Sequence, residues 1–465
     1  MTVGASKSEQ LTAKTMDCTD YAWADNICVI AAEASGDANA AALIESLRKL
    51  SPRSLKIWGV AGPKMRAAGV EAIARVEELS VMGFAEVIAQ YLRLRLIHRR
   101  VEAEILRRRP ELVILVDAPS FNLRIAELAF QSGSIVHYHI PPKVWAHGEG
   151  RCEILASSCH LVTCVLPFEE DFLRSRGVHA HYVGHPLKDQ VDYFRKEHGS
   201  FVSGTTVRST AMNIGLLPGS RRSEVRHHLK TLVHAFAKVQ QSLESHSRSE
   251  LGSGSDANSN SSFNSSNVAA TGAETNPRLP LLIGLIPIAE TLDENWFRRQ
   301  LSRAMVGTSI PEGTLRAVRG SMYSVLSRVQ YAWVCSGTAV LETCFFEVPH
   351  SVVYRTSRLS YEIASRLVKV QFIGLVNLIA GRALTPEFIQ DDFSVENLAR
   401  HAQQVLTHPE ELQHAREQLH EISESFPSKS GDRAARLLLS LMDYWQGLPR
   451  EARQRMYRRG LGPKL

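Results

Sequence analysis

Short, continuous apolar runs alternate with stretches of helical periodicity over most of this chain, and no other feature constrains its fold as strongly. In the first half, the runs are residues 27–32, 56–60, 111–116, 135–139, 161–166 and 180–183. In the second half, they are residues 212–216, 281–286, 331–334 and 351–354. A strand that is apolar on both faces is typical of a parallel sheet covered by helices on both sides. The sequence therefore predicts an α/β fold with two doubly wound parallel sheets.

The turn Gly184-His185-Pro186 separates the two sets of runs, and it is the predicted domain boundary. We expect one Rossmann-like domain over residues 27–186 and a second over residues 187–390. Residues 391–465 are predicted to form helices that end in a basic tail. The apolar residues that recur at helical spacing there include Leu398, Val405, Leu412 and Leu419.

Two segments have the composition of chain that cannot bury a core. Residues 242–276 are rich in Ser, Asn and Gly, which predicts a disordered surface insertion. Residues 1–26 lack the charged-then-apolar order of a signal peptide, and we expect them to be a disordered extension.

Composition excludes several classes of protein. No apolar run approaches the roughly 20 residues that a membrane span requires. The seven cysteines form no Cys-x-x-Cys pair, which favours buried thiols in a reducing cytoplasm over disulfides or zinc. His137 and His139 share one face of a predicted strand, but no third ligand accompanies them, so no metal site is predicted.

Seven arginines lie between residues 91 and 110, interleaved with leucine, isoleucine and valine. Nucleic acid is not the expected partner, because neither aromatic interleaving nor a known binding motif accompanies these arginines. A helix of this kind suits an anionic membrane surface. The alternative is a solvated helix face over a globular core.

The stretch Leu217-Pro218-Gly219-Ser220-Arg221 follows an apolar run and precedes a helix. Such a turn offers unpaired backbone N–H groups, a hydroxyl and a fixed cation to an anion. Two alternatives are an ordinary loop with a capping serine and a surface ion pair between Arg221 and Glu224.

A second loop of this type is Ser336-Gly337-Thr338, which follows residues 331–334 and opens another helix. It supplies two hydroxyls and an unhindered backbone. Glu342 falls about one turn later, where a carboxylate can accept hydrogen bonds from a ribose. A capping box is the alternative. Together the two loops indicate a site for a nucleoside diphosphate.

Carboxylates end two runs of the first half. Asp117 follows residues 112–116, and Glu33 follows residues 27–32. Ligands of open α/β sheets bind at the carboxyl ends of the strands, where a carboxylate can take a proton from a hydroxyl. The alternative for Asp117 is a turn-making role before Ala118-Pro119.

Taken together, the sequence motifs of this chain resemble those of the lipid-A-disaccharide synthases, a family of inverting glycosyltransferases with GT-B architecture. The resemblance runs in one order from about residue 27 to about residue 440. Its motifs are Ala32 to Asp37, Gly59 to Pro63, Glu77 to Gly83, Val116 to Pro119, Val144 to Ala146, Leu166 to Glu169, Val183 to Pro186, the two loops, Asn377 to Arg382, and Pro386 to Phe388.

This resemblance implies two Rossmann-like domains that face a cleft, with the C-terminal helices crossing back to the first domain. It implies transfer of a sugar from UDP-2,3-diacylglucosamine to 2,3-diacylglucosamine 1-phosphate, without a metal or other cofactor. Asp117 would be the base or would orient the acceptor, and Arg221 would be the cation. The expected substrate-binding residues are Glu33, Ser35, Gly36, Asp37, Met82, Ser220, Ser336, Gly337, Thr338, Glu342 and Asn377.

The same resemblance implies a cytoplasmic protein at the periphery of the inner membrane, and a homodimer is left open. Four segments depart from the family pattern, which puts the acyl-chain preference in doubt. The departing residues are Ala32, Ser120, Pro142-Lys143 with His147, and Val376. Two rival functions are another UDP-sugar transferase or epimerase of this architecture, and a membrane-surface protein that binds UDP without catalysis.

Overall fold

The structure is a computed structural model, and it describes residues 25–52, 54–79, 87–199, 211–252, 281–320, 322–367 and 370–448. Over these ranges the chain forms two compact units. The first contains the chain up to Pro186 together with the part from Lys429 onward. The second contains the chain from Leu187 to Ser428.

The sheet of the first unit has seven parallel strands. They are β1 (Asn26–Ala31), β2 (Lys56–Ala61), β3 (Glu71–Arg75), β4 (Leu112–Val116), β5 (Ile135–His139), β6 (Leu161–Cys164) and β7 (Ala180–Tyr182), in the spatial order β3-β2-β1-β4-β5-β6-β7. The helices between them are α1 (Ala34–Leu50), α2 (Pro63–Ala67), α3 (Val87–Arg108), α4 (Pro119–Gln131), α5 (Arg151–Ser158) and α6 (Glu169–Arg174).

Both faces of this sheet are buried, as the continuous apolar runs predict. In β1, Ile27 and Val29 belong to the core on one face, whereas Cys28 and Ile30 belong to the core on the other. All five residues of β4 are buried, and β4 pairs with both β1 and β5. A strand in this position needs apolar residues at every place.

The second unit has a six-stranded parallel sheet. Its strands are β8 (Ala211–Leu217), β9 (Leu281–Ile288), β10 (Leu315–Arg319), β11 (Tyr331–Cys335), β12 (His350–Tyr354) and β13 (Glu387–Ile389), in the spatial order β10-β9-β8-β11-β12-β13. Its helices are α7 (Pro186–His198), α8 (Arg222–Gly252), α9 (Glu294–Ala304), α10 (Met322–Leu326), α11 (Thr338–Phe345), α12 (Arg358–Leu367), α13 (Leu375–Ala380), α14 (Val395–Thr407) and α15 (Pro409–Glu424). The prediction of an α/β fold with two doubly wound parallel sheets is confirmed.

The last helix, α16 (Ser430–Gly447), belongs to the first unit. It packs against α1, where Ser46 Oγ donates a hydrogen bond to Asp432 Oδ1 at 2.7 Å. Residues 391–428, in contrast, belong to the second unit. The apolar face of α14 packs in the core of the second unit, with Leu398 and Ala402 fully buried against α8. The prediction that the whole segment 391–465 returns to the first domain is therefore wrong for α14 and α15.

The first part of the predicted disordered insertion is helical, because residues 242–252 continue helix α8. Four predicted features lie outside the described residues: the extension over residues 1–24, Met82, residues 253–276 of the insertion, and the basic tail. No helix in the part of the chain that the structure describes combines the length and apolar composition that a membrane span needs.

Candidate active site

In each sheet the strand order reverses at one place, and the polar residues that the sequence singles out lie at these reversals. In the first sheet the reversal lies between β1 and β4, which are followed by Glu33 and Asp117. In the second it lies between β8 and β11, which are followed by the loops of Arg221 and Ser336. Ligands of doubly wound sheets bind at such switch points.

The backbone at Asp117 is held in an unusual conformation. Asp117 has φ 51° and Ala118 has φ 46°, both in the left-handed region that costs a non-glycine residue energy. Three hydrogen bonds support this turn. Asn122 Nδ2 donates to the carbonyls of Val116 at 3.1 Å and Asp117 at 2.8 Å, and the Tyr138 hydroxyl donates to the Asp117 carbonyl at 2.7 Å. Asn122 and Tyr138 therefore hold the backbone from which the Asp117 side chain projects.

The environment of Asp117 suits a proton acceptor. Burial raises the pKa of its carboxyl above the ordinary value of 3.8, while the backbone N–H of Ala118 and the charge of Lys143 act in the opposite direction. A carboxylate whose pKa is raised by burial is a better proton acceptor than an exposed one.

The residues at the start of α1 divide into two groups. Glu33 and Ser35 are exposed at the carboxyl edge of the first sheet, so their side chains are accessible to a ligand there. Gly36 and Asp37 are buried. The Asp37 carboxylate accepts hydrogen bonds from the backbone N–H groups of Gly62 at 2.8 Å, Lys64 at 2.9 Å and Met65 at 3.1 Å. The Asp37 carboxylate therefore satisfies the backbone N–H groups at the start of α2, and a structural role describes Asp37 better than acceptor binding does.

A second buried carboxylate organises the next loops of the first unit. Glu169 accepts a hydrogen bond from Trp145 Nε1 at 2.9 Å, and its other oxygen accepts from the N–H groups of Val165 at 3.2 Å and Leu166 at 3.0 Å. Burial raises the pKa of Glu169, and these three donors act in the opposite direction. The motifs around Trp145 and Glu169 therefore hold each other in place.

The two histidines of β5 do not have the arrangement of a metal site. His137 Nε2 and His139 Nδ1 each lie 2.8 Å from the Thr163 hydroxyl oxygen. Over the described ranges, no group of three His, Cys, Asp or Glu side chains is placed to hold a metal ion.

In the second unit, the loop after β8 turns at Gly219, which has φ 111°. The backbone N–H groups of Ser220 and Arg221 donate to Glu224 Oε2 at 2.9 and 3.1 Å. The expectation that these two amides are unpaired is therefore wrong, because the carboxylate of Glu224 already fills the place of an anion. The guanidinium of Arg221 is 80% exposed and makes a longer contact of 3.3 Å to the same carboxylate. An exposed ion pair of this kind contributes about 0–1 kcal/mol, so Arg221 can turn toward a ligand at little cost.

His228 ties this loop to a neighbouring strand. Its Nδ1 donates to the Pro218 carbonyl at 2.9 Å, and its Nε2 accepts from the backbone N–H of Arg355 at 2.9 Å. This pair of bonds requires the neutral ring, and burial lowers the pKa of His228 accordingly. The Thr291 hydroxyl also supports the loop by donating to the Ser220 carbonyl at 2.7 Å.

The loop after β11 is partly engaged and partly open. The Ser336 hydroxyl donates to the Ile373 carbonyl at 3.0 Å, so it braces the loop. Gly337 has φ 152° with open space where a Cβ would stand, and Thr338 is exposed at the first position of α11. The open part of the loop is therefore the N-terminus of α11, which favours an anion.

The two loops of the second unit are brought together by their strands. β8 and β11 are paired neighbours, with Leu217 beside Val334. Burial raises the pKa of Cys335 to about 12, and the charges of Glu224 and Arg221 also act on that thiol in opposite directions. Arg221 therefore lies within electrostatic range of the residue that precedes Ser336.

Glu342 is partly buried one turn into α11. Burial raises the pKa of its carboxyl to about 7, and a hydrogen bond with the Tyr323 side chain acts in the opposite direction. This carboxyl group therefore changes its charge near neutral pH.

Asn377 is fully buried, and both ends of its amide are used within the protein. Its Nδ2 donates to the Thr385 carbonyl at 2.7 Å and to Glu387 Oε1 at 2.9 Å, while its Oδ1 accepts from the N–H groups of Leu384 and Thr385. Glu387 in turn accepts from the N–H groups of Ile373 and Gly374. Asn377 therefore supports the loop that braces Ser336, and the prediction that it contacts the donor does not fit this geometry.

Sequence reasoning missed the residues that position these groups: Asn122, Tyr138, His228 and Tyr323. A signal exists for two of them, since Asn122 and His228 are polar residues on the buried faces of α4 and α8. A buried polar residue on an apolar helix face requires hydrogen-bond partners, and at a switch point those partners belong to the site.

Comparison with known proteins places this geometry in a family context. A family model described as lipid-A-disaccharide synthetase matches residues 27–258 and 302–438. The lipid-A-disaccharide synthase of Syntrophus aciditrophicus is 31% identical over 423 residues, which cover 90% of this chain and 97% of that protein. The lipid-A-disaccharide synthase of Anaeromyxobacter dehalogenans is 34% identical over 382 residues, which cover 82% and 88%.

Among solved structures, the chain is similar to a putative UDP-N-acetylglucosamine 2-epimerase from Listeria monocytogenes, with a TM-score of 0.56 and 11% identity over 92% of this chain and 98% of that one. It is also similar to the calicheamicin glycosyltransferase CalG4, with a TM-score of 0.50 and 14% identity over 91% and 98%. At such low identity these likenesses describe the fold alone.

Proposed function

Because this chain belongs to the family of lipid-A-disaccharide synthases, we propose that it transfers the sugar of UDP-2,3-diacylglucosamine to the 6-hydroxyl of 2,3-diacylglucosamine 1-phosphate. The products are lipid A disaccharide 1-phosphate and UDP. The chain is accordingly a hexosyltransferase of lipid A biosynthesis. The observation that carries this conclusion is the family match over most of the chain, and the polar residues at both switch points support it.

In the first unit, Asp117 takes the proton of the acceptor hydroxyl as that oxygen attacks the anomeric carbon of the donor. The new C–O bond forms on the face opposite to UDP, and the bond from that carbon to the diphosphate breaks, so the configuration inverts. The partly buried carboxyl of Asp117 supports this role, because burial raises its proton affinity.

In the second unit, the leaving diphosphate gains negative charge as this bond breaks. Arg221 and the N-terminus of α11, at Gly337 and Thr338, stabilise that charge. The diphosphate also competes with Glu224 for the amides of Ser220 and Arg221, and it brings more negative charge than one carboxylate. Glu342 accepts hydrogen bonds from the ribose hydroxyls when it is ionised.

The experiment that tests this assignment incubates purified protein with both lipid substrates and detects the disaccharide by mass spectrometry. We expect Asp117→Asn and Arg221→Ala to abolish turnover while circular dichroism remains unchanged. Matched controls are Asp171→Asn in α6 and Arg222→Ala beside Arg221, two exposed residues that we expect to tolerate the change. Near-normal turnover in both test variants refutes the residue assignment.

UDP titration in the same experiment separates the rival functions. Saturable UDP binding without any disaccharide supports a binding protein in place of an enzyme. Conversion of a UDP-sugar without an acceptor supports an epimerase.

For the place of action, we propose the cytoplasmic face of the inner membrane, where both lipid substrates present their head groups. Helix α3 supports this proposal. Its inner face buries Ile97, Val101 and Ile105, whereas Leu96 and Leu106 are 65% and 52% exposed. Arginine side chains at 93, 95, 99 and 100 are exposed on the same helix. Apolar and arginine side chains together suit the surface of an anionic bilayer.

Vesicle flotation tests the membrane proposal. We expect binding to vesicles that contain an anionic phospholipid, with loss of binding at high salt and in the Leu96→Gln variant. Equal flotation with neutral vesicles, or none with either kind, contradicts the proposal.

A further inference from the structure

One cation of the first unit has no role in the mechanism above, yet it lies beside the reacting groups. Lys143 follows the end of β5 by four residues, at the carboxyl edge of the first sheet. Its backbone is anchored on the C-terminal side, because Val144 is 3% exposed in the core and Trp145 is bonded to the buried Glu169. The Lys143 carbonyl also accepts a hydrogen bond from the N–H of Ala146 at 3.0 Å. The base of this side chain is therefore fixed, although the side chain itself is exposed.

Strand pairing places Lys143 near the switch point, because β5 pairs with β4 and the N–H of Asp117 donates to the carbonyl of His139, the last residue of β5, at 3.2 Å. Three groups that follow three other strands of the sheet all respond to the charge of Lys143: Asp117 after β4, Glu169 after β6 and His185 after β7. For His185, burial and this charge together lower the pKa to about 3, so the ring is neutral. Lys143 follows β5 and Asp117 follows the paired strand β4, so both residues lie at the same carboxyl edge of the sheet, where the acceptor hydroxyl of the proposed reaction would bind.

Among the described residues of the first unit, the ammonium of Lys143 has neither an ion-pair partner nor a hydrogen-bond partner. Two other cations of the first unit are engaged in ion pairs. Arg174 pairs with Glu170 at 2.6 Å, and Arg176 pairs with Glu149 at 2.6 Å. Lys143 is thus an exposed cation that keeps its hydrogen-bonding capacity for a ligand.

We propose that Lys143 binds the phosphate group of the acceptor and thereby makes the enzyme select a phosphorylated acceptor sugar. This inference rests on the proposed function, because it assigns a residue to the acceptor of that reaction. The acceptor has two functional groups on one sugar ring that matter here: a hydroxyl that reacts and a phosphate that does not. Asp117 serves the first and Lys143 the second. A lysine ammonium is a compact charge with three donors on a flexible stem, which suits a phosphate that is approached from one side.

The proposal predicts a loss that depends on the acceptor. A hydrogen bond to a charged group contributes about 1.5–3 kcal/mol, which corresponds to roughly 10- to 100-fold in affinity. We expect Lys143→Met to lower kcat/KM for the acceptor 1-phosphate by about that factor, mainly through KM. With the same acceptor lacking the phosphate, we expect Lys143→Met and the wild-type protein to agree within about threefold. Lys143→Arg should restore most of the activity, because it keeps the charge.

Two controls separate phosphate binding from general damage. Lys49→Met removes an exposed lysine at the C-terminal end of α1, away from the carboxyl edge of the sheet, and should leave both acceptors unaffected. The KM for the UDP-sugar donor should not change in Lys143→Met. Equal losses with the phosphorylated and unphosphorylated acceptor overturn the proposal, and so does the absence of any loss.

Direct binding distinguishes failure of this inference from failure of the proposed function. Calorimetric titration with the acceptor 1-phosphate requires no turnover, and we expect Lys143→Met to weaken it by the same factor. If wild-type protein binds this lipid through Lys143 but forms no disaccharide, the proposed function fails and the phosphate site stands. If turnover is normal and Lys143→Met binds as tightly as the wild type, the phosphate site fails and the function stands.

Discussion

Replacing Glu342 by glutamine should stabilise the second unit at alkaline pH but leave it unchanged in acid. Burial raises the pKa of this carboxyl from its ordinary 4.5 to about 7 in the folded protein. In the unfolded chain the same group ionises near 4.5. Between these two values the folded state holds a proton that the unfolded state has lost. The free energy of unfolding is therefore highest below 4.5, falls as pH rises from 4.5 to 7, and stays low above 7.

The size of the effect follows from the two pKa values. Each pH unit inside the interval changes the free energy of unfolding by ~1.4 kcal/mol. The comparison runs from about pH 5.5 to about pH 8, but stability changes only up to the folded pKa of about 7. Over this range of about 1.5 pH units, the free energy of unfolding of the wild-type protein falls by ~2 kcal/mol because of this group. Glutamine cannot ionise, so the variant does not lose it.

Urea denaturation at these two pH values measures the difference. The quantity of interest is the change in the free energy of unfolding between them, compared for wild type, Glu342→Gln and the matched control Glu312→Gln. Glu312 is an exposed glutamate in the same unit, so its variant should follow the wild type. If Glu342→Gln loses as much stability as the wild type between about pH 5.5 and pH 8, the carboxyl is already ionised in the folded protein, and the argument from burial is refuted.

Three further results are expected. The affinity for UDP should rise as pH increases through about 7, because ionised Glu342 accepts both ribose hydroxyls, and Glu342→Gln should remove this dependence in calorimetric titrations. Asp37→Asn should lower the free energy of unfolding by roughly 1–3 kcal/mol in urea, since the amide cannot accept three N–H groups, whereas Ser35→Ala should have little effect. Tyr138→Phe should lower kcat more than it changes the acceptor KM, and it should shift the acidic limb of the pH–kcat profile. The reason is that this change removes a hydrogen bond that holds the backbone of Asp117. An unchanged profile with normal kcat contradicts this role.

The sequence predicted the central strands well because their burial leaves no choice of residue. Residues 112–116 are apolar throughout, and they form β4 between two neighbours. It did not predict β3, β10 or β13, which are three of the four edge strands of the two sheets. The sequences of β3 and β10, Glu-Ala-Ile-Ala-Arg and Leu-Arg-Ala-Val-Arg, mix exposed charges with buried or partly buried residues, as an edge strand allows. A pattern search for continuous apolar runs passes over such strands.

For the site, the sequence identified positions but not hydrogen-bond partners. The positions of Asp117 and Arg221 could be predicted, because the ends of apolar strands can be recognised in the sequence. Whether a carboxylate meets a ligand depends on which N–H groups the fold brings to it. Asp37 meets the amides of residues 62, 64 and 65, and Glu224 meets those of residues 220 and 221. The first of these sets lies more than twenty residues away in the chain, so spacing alone does not reveal it.

The return of α16 to the first unit has a consequence for biosynthesis. This helix covers apolar residues of α1 such as Leu43, Ile44 and Leu47 with its own Leu438 and Met442. A nascent chain has made the whole first sheet by residue 186, but the side chains that close one face of it are translated about 250 residues later. During that interval the apolar residues of α1 that pack against α16 lack this cover. The second unit is continuous in sequence and has no such delay.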